Sequence, residues 1–199
     1  MEVRLATQND MPAFFEYLNR QLQENGVDDS PVFQPLSRAQ SESQMTDAMK
    51  RRFSEGIERE IGQSGWRRML LAFSEVQGNV VEGETVDGEE SKIIGHIDIR
   101  PHSESHTEHR ALLGMGVDLS VRGKGLGRKL IESIESWTLQ NTGLEYIDLW
   151  VLSNNLAAIK LYQRSDFIKC GEITDMFRID GRALAYSMMC KPLADNQHK

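Results

Sequence analysis

A chain of 199 residues, 39% hydrophobic and 27% charged, is sized for one globular domain with a sizeable buried core. Its formal net charge of −7 argues against a general nucleic-acid binder, and no stretch reaches the ~20 apolar residues of a membrane helix, so neither partner is expected. The polar start, Met1 to Asp10, does not read as a signal peptide, and Cys170 and Cys190 read as two reduced, small buried residues of a cytoplasmic protein.

Val3-Arg4-Leu5 alternates and predicts a first strand. Asp10 then caps a helix with Pro12 in its first turn, a stripe of Met11, Phe15, Leu18 and Leu22, and Gly26 at its close. Val27 to Ser43, with Pro31, Pro35 and several serines, predicts a loop long enough to be functional or mobile. Met45, Met49, Phe53, Ile57 and Ile61 recur at helical spacing up to Gly62 and predict a core-packed helix. From Met69 the period becomes two. Met69–Val76 and Lys92–Arg100 read as paired strands, joined by an acidic solvated connection from Gly78 to Glu90. Ala111–Leu119 is a further extended run, Leu126–Gln140 an amphipathic helix, and Ile147, Leu149 and Val151 the next strand. A short helix over Asn155–Arg164 precedes closing strands at Phe167–Ile173 and Ala183–Met189, with a turn at Asp180-Gly181. The tail after Pro192 is polar. Strands mixed with helices in this order predict a mixed sheet covered on both faces.

Two stretches carry chemistry. In Gly116 to Arg128 a strand ends, a turn with Gly123, Gly125 and Gly127 follows, and a helix begins. Glycines let a backbone approach a ligand, and a helix N-terminus presents free N–H groups and partial positive charge. Arg122, Lys124, Arg128 and Lys129 add four cations in eight residues of an acidic chain, so the loop suits a pyrophosphate or similar polyanion. A Walker A loop is excluded because Leu126 follows Gly125, and the glycine spacing is wrong for the dinucleotide fingerprint. Alone, the loop reads equally well as a tight strand-to-helix turn with solvated cations. The second stretch, Leu149 to Phe167, runs from a strand into a helix capped near Asn155, with Tyr162 near its end. Taken singly, Asn155 is a helix cap and Tyr162 a half-buried core tyrosine.

Together the two stretches resemble the GNAT superfamily of acyl-coenzyme A-dependent N-acetyltransferases. The family loop, Arg or Gln-x-x-Gly-x-Gly or Ala, is matched by Arg122, Gly125 and Gly127, with Val117 as the aliphatic residue five positions before. The later signature, Asn-x-x-Ala-x-x-Leu-Tyr-x-x-x-Gly-Phe, is matched by Asn155, Ala158, Leu161, Tyr162 and Phe167. The resemblance covers Ile93 to Leu193, while the first ninety residues match only in outline. It implies an α/β fold (α+β in some schemes): a mixed, mostly antiparallel sheet with splayed central strands and helices on both faces. One domain would span residues 1–193, with 27–66 bordering the acceptor site and 194–199 as a polar tail.

The resemblance further implies acetyl-CoA as cosubstrate, no metal, a small-molecule or peptide amine as acceptor, and leaves a homodimer open. The pantetheine arm would pair with the edge formed by Met115, Gly116 and Val117. The pyrophosphate would rest on Gly123, Lys124, Gly125, Leu126, Gly127 and Arg128, with Arg122 and Asn155 completing the cofactor site and Tyr162 supplying a proton to the departing thiolate. Two departures stand out. Asp166 replaces the signature glycine, which implies a left-handed turn that aspartate tolerates. Ala111 and Trp150 occupy the places where several family members carry a glutamate base; His96, Asp98, Glu108 and His109 lie nearby but read as structural or solvated. Histidines 96, 102, 106 and 109 read as a solvated set rather than metal ligands. The acceptor is expected between Val27–Met45 and Asp175–Arg182, where Phe33, Pro35, Met176 and Phe177 offer apolar surface and Asp175 and Asp180 could attract an ammonium. The competing reading is a weak or inactive coenzyme A-binding regulatory module. A nucleotide-binding protein that uses only the basic loop leaves the second motif unexplained.

Overall fold

A computed structural model describes residues 1–27, 32–37, 44–75, 80–81, 84–85 and 91–193. In chain order it has β1 (Glu2–Leu5), α1 (Met11–Gln23), α2 (Asp47–Glu58), β2 (Arg68–Phe73), β3 (Val80–Val81), β4 (Glu84–Thr85), β5 (Ile93–Arg100), β6 (Arg110–Val117), α3 (Leu126–Asn141), β7 (Tyr146–Leu152), α4 (Leu156–Gln163), β8 (Ile168–Ile179) and β9 (Arg182–Pro192). Seven strands form one sheet in the order β1-β2-β5-β6-β7-β9-β8. Every neighbouring pair is antiparallel except β6 and β7, which run parallel. The expected fold class and the helices on both faces are present. Within the expected acidic connection, β3 and β4 form a separate small hairpin, and its other residues lie outside the described set, as do Pro31, parts of the 27–43 loop and the 194–199 tail.

One face of the sheet is closed by α3 and α4. Leu130, Ile131 and Ile134 of α3 are fully buried against Ile97, Ile99, Ala111, Ile147 and Leu149. Burying each such side chain contributes about 1.5–3 kcal/mol. The other face is closed by α1 and α2, where Met11, Phe14 and Tyr17 cover Met69, Leu71, Phe73 and Ile93, with Phe53 and Ile57 of α2 at the margin. The α1 stripe is rotated from the expected one. Phe14 and Tyr17 are its deepest residues, whereas Phe15 and Leu18 are only partly covered, because a heptad with apolar residues at neighbouring positions fits two phases of a 3.6-residue period.

The predicted boundaries shift where local chemistry intervenes. Asp10 bonds back to the Thr7 amide at 2.8 Å and pairs with Arg4, so it fastens the preceding 3-10 turn rather than capping α1 directly. Thr46 caps α2 by accepting the Met49 amide at 3.2 Å, and the helix ends at Glu58 because Arg59 is extended, which leaves Ile61 exposed. Asp180 and Gly181 both have positive φ, the conformation expected of a two-residue hairpin turn. β8 runs on to Ile179, interrupted by irregularities at Lys169/Gly171 and Ile173/Phe177 that break its alternation. It is an outer strand, exposed over most of its length, and its bulges and charged side chains are the devices that discourage edge-to-edge pairing. Cys170 lies on it and is exposed, and Cys190 is half-buried, so the expectation of two buried cysteines fails at the edge strand.

His96 lies under α1, its Nδ1 3.3 Å from the Tyr17 hydroxyl and its ring edge-on to Phe14. Burial is the main cause that holds its pKa down to about 4. The folded pKa is therefore below the unfolded value of roughly 6.5, so this contribution to stability is complete above that value and is lost as pH falls toward 4. Urea unfolding from pH 7 to 4.5 should show a falling midpoint, and His96→Gln should flatten that fall. A midpoint with the same pH dependence in both proteins would remove His96 as its source.

Candidate active site

β6 and β7 pair over three residues only: Arg110↔Tyr146, Ala111↔Ile147 and Leu112↔Asp148. Beyond Leu112, β6 keeps its antiparallel partner β5 through Val117, and β7 keeps β9 through Leu152. The two central strands therefore part, and among the described residues the backbone of Leu113 to Val117 has no strand partner on the β7 side. The parting begins at a fixed point. Asp148 is fully buried at the last rung, where its Oδ2 accepts from Arg110 Nε at 2.7 Å and lies 2.9 Å from His102 Nε2. The hydrogen bond to Asp148 holds the Arg110 pKa above its ordinary value.

The glycine-rich loop leaves the open end of β6. Asp118 turns it by accepting the Ser120 amide at 3.0 Å, and Gly123 and Gly125 follow at φ +75° and +86°. These are left-handed conformations that favour glycine, and a Cβ at either position would meet nothing within 4 Å, so the backbone there faces open space. Gly125 precedes α3 with no side chain capping it. The amides of Leu126, Gly127 and Arg128 point out of the first turn without intrahelical partners, an arrangement that suits an anion. The side chains are committed differently from the expectation. Arg122 turns inward, with Nε donating to the Val117 carbonyl at 2.9 Å and its guanidinium near Glu24 and Phe33. Lys124 bonds the Ser120 carbonyl and Arg128 pairs with Glu132, so the anion site is chiefly backbone. Leu126 is buried in the core.

The second motif lies against the first. A Cβ on Gly127 would come within 2.8 Å of Leu161 Cδ2 and 3.5 Å of Met115 Cε, so this glycine lets α3, α4 and β6 meet. Asn155 is the cap of α4, its Oδ1 accepting the Ala158 amide at 3.2 Å. Tyr162 is buried, edge-on to Phe167 at 5.7 Å. Burial first, then the neighbouring Tyr186, push its pKa well above the ordinary phenol value. Asp166 has φ +65°, the left-handed turn that the resemblance implied, and the Phe167 amide returns to the Tyr162 carbonyl at 3.0 Å.

Across the sheet, Trp150 is 37% exposed and stacks on Tyr186 with centroids 5.2 Å apart, and Phe177 meets Tyr186 edge-on at 5.0 Å. Phe33 and Phe177 are both half-buried, and Phe33 is fastened by its amide to Asn25 Oδ1 at 2.8 Å. The 32–37 segment reaches the last hairpin, where Ser37 Oγ donates to Asp180 Oδ1 at 2.8 Å. Asp175 is held by Arg178 at 2.6 Å. His96 and Asp98 are buried beneath α1 and α2, Asp98 in an ion pair with Arg67, while Glu108 and His109 are exposed. Sequence reading did not single out Tyr186, Arg67 or Arg100. Nothing in an alternating strand marks one aromatic or cationic residue as lining an opening. Among the described residues no three His, Cys, Asp or Glu side chains gather as a metal site needs, and no helix is long and apolar enough to cross a membrane.

The model of the acetyltransferase (GNAT) family matches residues 46–167. Solved structures share the fold. A GNAT-family acetyltransferase from Streptococcus pneumoniae is 20% identical with a TM-score of 0.71, over 97% of this chain and 99% of that one. A ribosomal-protein-alanine N-acetyltransferase from Brucella melitensis is 20% identical with a TM-score of 0.69, over 96% and 99%. A GNAT superfamily phosphinothricin acetyltransferase from Sinorhizobium meliloti, solved in complex with acetyl-CoA, is 18% identical with a TM-score of 0.71, over 98% and 90%.

If the backbone of this loop receives a polyanion, Gly125→Val should remove the binding, because a β-branched residue resists φ +86° and its methyls fill the open space. Wild type with acetyl-CoA at roughly 100 times Kd should gain about 2.7 kcal/mol of stability, read as a rise in Tm, and Gly125→Val should gain none. Equal shifts would move the binding site away from this loop.

Proposed function

The chain belongs to the acetyltransferase (GNAT) family and is an acyltransferase, and on that premise we propose that it transfers the acetyl group of acetyl-CoA to a primary amine of a small molecule or peptide by direct attack. The observation that carries this reading is the parting of β6 from β7 after three rungs, with the glycine loop at the open end of β6 and α4, which carries Tyr162, packed through Leu161 against Gly127 at the start of α3. The free backbone of Met115, Gly116 and Val117 would pair with the pantetheine arm, and the amides at Gly123 to Arg128 would hold the pyrophosphate. Acetyl-CoA supplies the acyl thioester; the chain holds it where an amine arrives in line, and such positioning is worth several kcal/mol.

On the acceptor side, Trp150, Tyr186 and Phe177 would form an aromatic wall, joined to the 32–37 segment through Ser37 and Asp180. Asp175 is the weaker candidate for the ammonium, since Arg178 already occupies it. A backbone N–H beside the gap would donate to the developing oxyanion. Tyr162 stays protonated at any working pH because burial raises its pKa. A departing thiolate has a reference pKa near ~8.5, so complete proton transfer from this phenol is uphill. Tyr162 therefore acts by donating a hydrogen bond to the sulfur as charge builds there, and the thiol takes its final proton from solvent. Ala111 and Trp150 offer no carboxylate to take the amine's proton, so the amine attacks in its neutral form and the proton it sheds on becoming the amide passes to solvent.

Two outcomes test this mechanism in a coenzyme A release assay across a panel of amines. Tyr162→Phe should lower kcat about 100-fold with the Kd for acetyl-CoA nearly unchanged. For an alkyl amine, kcat/KM should climb with unit slope up to the amine's own pKa near ~10.4, with no earlier plateau. A plateau near neutrality would require a base on the chain, and an unaltered kcat in Tyr162→Phe with chemistry rate-limiting would remove Tyr162 from the mechanism. A chain that binds acetyl-CoA and acetylates nothing would instead be the regulatory module.

A further inference from the structure

A cleft of about 550 Å³ opens beside α2, lined by Arg52, Glu55, Arg59, Arg67 and Arg100 among others. Leu112 also lines it, and Leu112 is the last residue of β6 that pairs with β7. The cleft therefore adjoins the point where the central strands part. Its charge is opposite to that of the chain. Four arginines and one carboxylate, Glu55, line the cleft, with Asp98 buried behind Arg67 and Arg100, in a protein of net charge −7.

These cations are not equally committed. Arg59 pairs with Glu55 at 2.8 Å and donates to the Ser64 carbonyl at 2.7 Å. Arg67 is buried, ion-paired with Asp98 and stacked 4.1 Å over Phe53. Arg100 reaches the same Asp98 oxygen only at 3.3 Å, and its side chain is 33% exposed. Arg52 makes no ion pair or hydrogen bond among the described residues. One buried carboxylate thus answers two arginines, and the excess positive charge sits at the mouth of the cleft. Gly114 makes room for this arrangement, since a Cβ there would come within 2.8 Å of Asp98 Oδ1 and 3.0 Å of Arg100 Nη1. Arg100 thereby lies over the β6 backbone two residues past the last rung. Leu112 of the cleft lies opposite Asp148 of β7, two residues before Trp150 of the aromatic wall.

We propose that this cleft recognises an oxyanion, a carboxylate or a phosphate, carried by the acceptor, with Arg100 as its contacting group. The inference rests on the acetyl-transfer reading for the amine end of that molecule. Asp98 is a positioning residue that holds Arg100 over Gly114, and Arg67 answers the Asp98 charge so that the local charge stays positive. Arg52 adds longer-range attraction from α2. The acceptor is then an amine with an anionic group a short distance away, such as an amino acid, a peptide end or an aminoalkyl phosphate.

The test uses the full chain saturated with coenzyme A, so that an added anion cannot enter the glycine loop. Inorganic phosphate, titrated against chloride at matched ionic strength, should raise the Tm of wild type. Arg100→Gln should lose that rise, and Arg164→Gln, an exposed change at the end of α4, should keep it. Two matched acceptor pairs, phenylalanine with phenethylamine and phosphoethanolamine with ethanolamine, separate carboxylate from phosphate. Wild type should favour the anionic member of one pair. Arg100→Gln should raise its KM about 10- to 100-fold with the KM for acetyl-CoA unmoved, as for loss of a hydrogen bond between charged groups. Arg52→Gln should give a smaller loss in the same direction. If acetyl-CoA binds yet no amine is acetylated, the acetyl-transfer reading fails, and the phosphate titration alone decides this one. No phosphate response in wild type, an equal response in Arg100→Gln, or a preference for neutral amines unaffected by Arg100→Gln overturns it.

Discussion

The geometry of this molecule turns on one buried carboxylate. Asp148 ends the only parallel pairing in the seven-stranded sheet, holding Arg110 from the start of β6 and His102 from the connection before it. An unpaired carboxylate in that position would be costly, so the three groups are bound to stay together. Below this clamp β6 and β7 are neighbours. Above it each strand answers to its other partner, β5 or β9, and the sheet's twist carries them apart. A gap in the middle of a sheet exposes backbone groups that would normally be paired, and it persists because both flanking antiparallel ladders are complete.

What gathers around the gap comes from both faces. From the α3 and α4 face come the uncapped first turn of α3, Gly127 pressed against Leu161, and the buried Tyr162 next along α4. From the α1 and α2 face come Trp150 stacked on Tyr186, and Arg100 over Gly114. The division suits a two-substrate reaction, in which a polyanionic donor and a smaller acceptor reach one opening from opposite sides. At one of the two departures, Trp150, an aromatic side chain stands where several family members carry a carboxylate, while Ala111 is buried in the core.

Much of this was legible locally. Gly123 and Gly125 were readable as backbone open to a ligand, Asp166 as a residue forced into a glycine's conformation, and Asp180-Gly181 as a tight hairpin; all adopt positive φ. Strand and helix types followed from period. The rest was non-local. No pattern in residues 110–112 or 146–148 says that their pairing stops after three rungs, since that depends on an aspartate, an arginine and a histidine from separate segments. Arg122 read as a phosphate cation because of its neighbours, yet the Val117 carbonyl and Glu24 draw it inward. The phase of α1 was ambiguous because apolar residues occupy both candidate stripes. β8 looked shorter than it is because two irregularities interrupt its alternation. The basic cleft draws on α2, the loop that follows it, the end of β5 and β6, and becomes a cluster only on folding.

The central claim is that the open edge of β6 is where the donor is held. Amide hydrogen exchange over residues 113–117, with and without acetyl-CoA, tests it most directly. Backbone groups left without a partner on the β7 side should exchange quickly in the free protein and become protected when the pantetheine arm pairs with them, while the β8–β9 hairpin is unchanged. Protection that rises in the hairpin and leaves 113–117 as before would contradict the account.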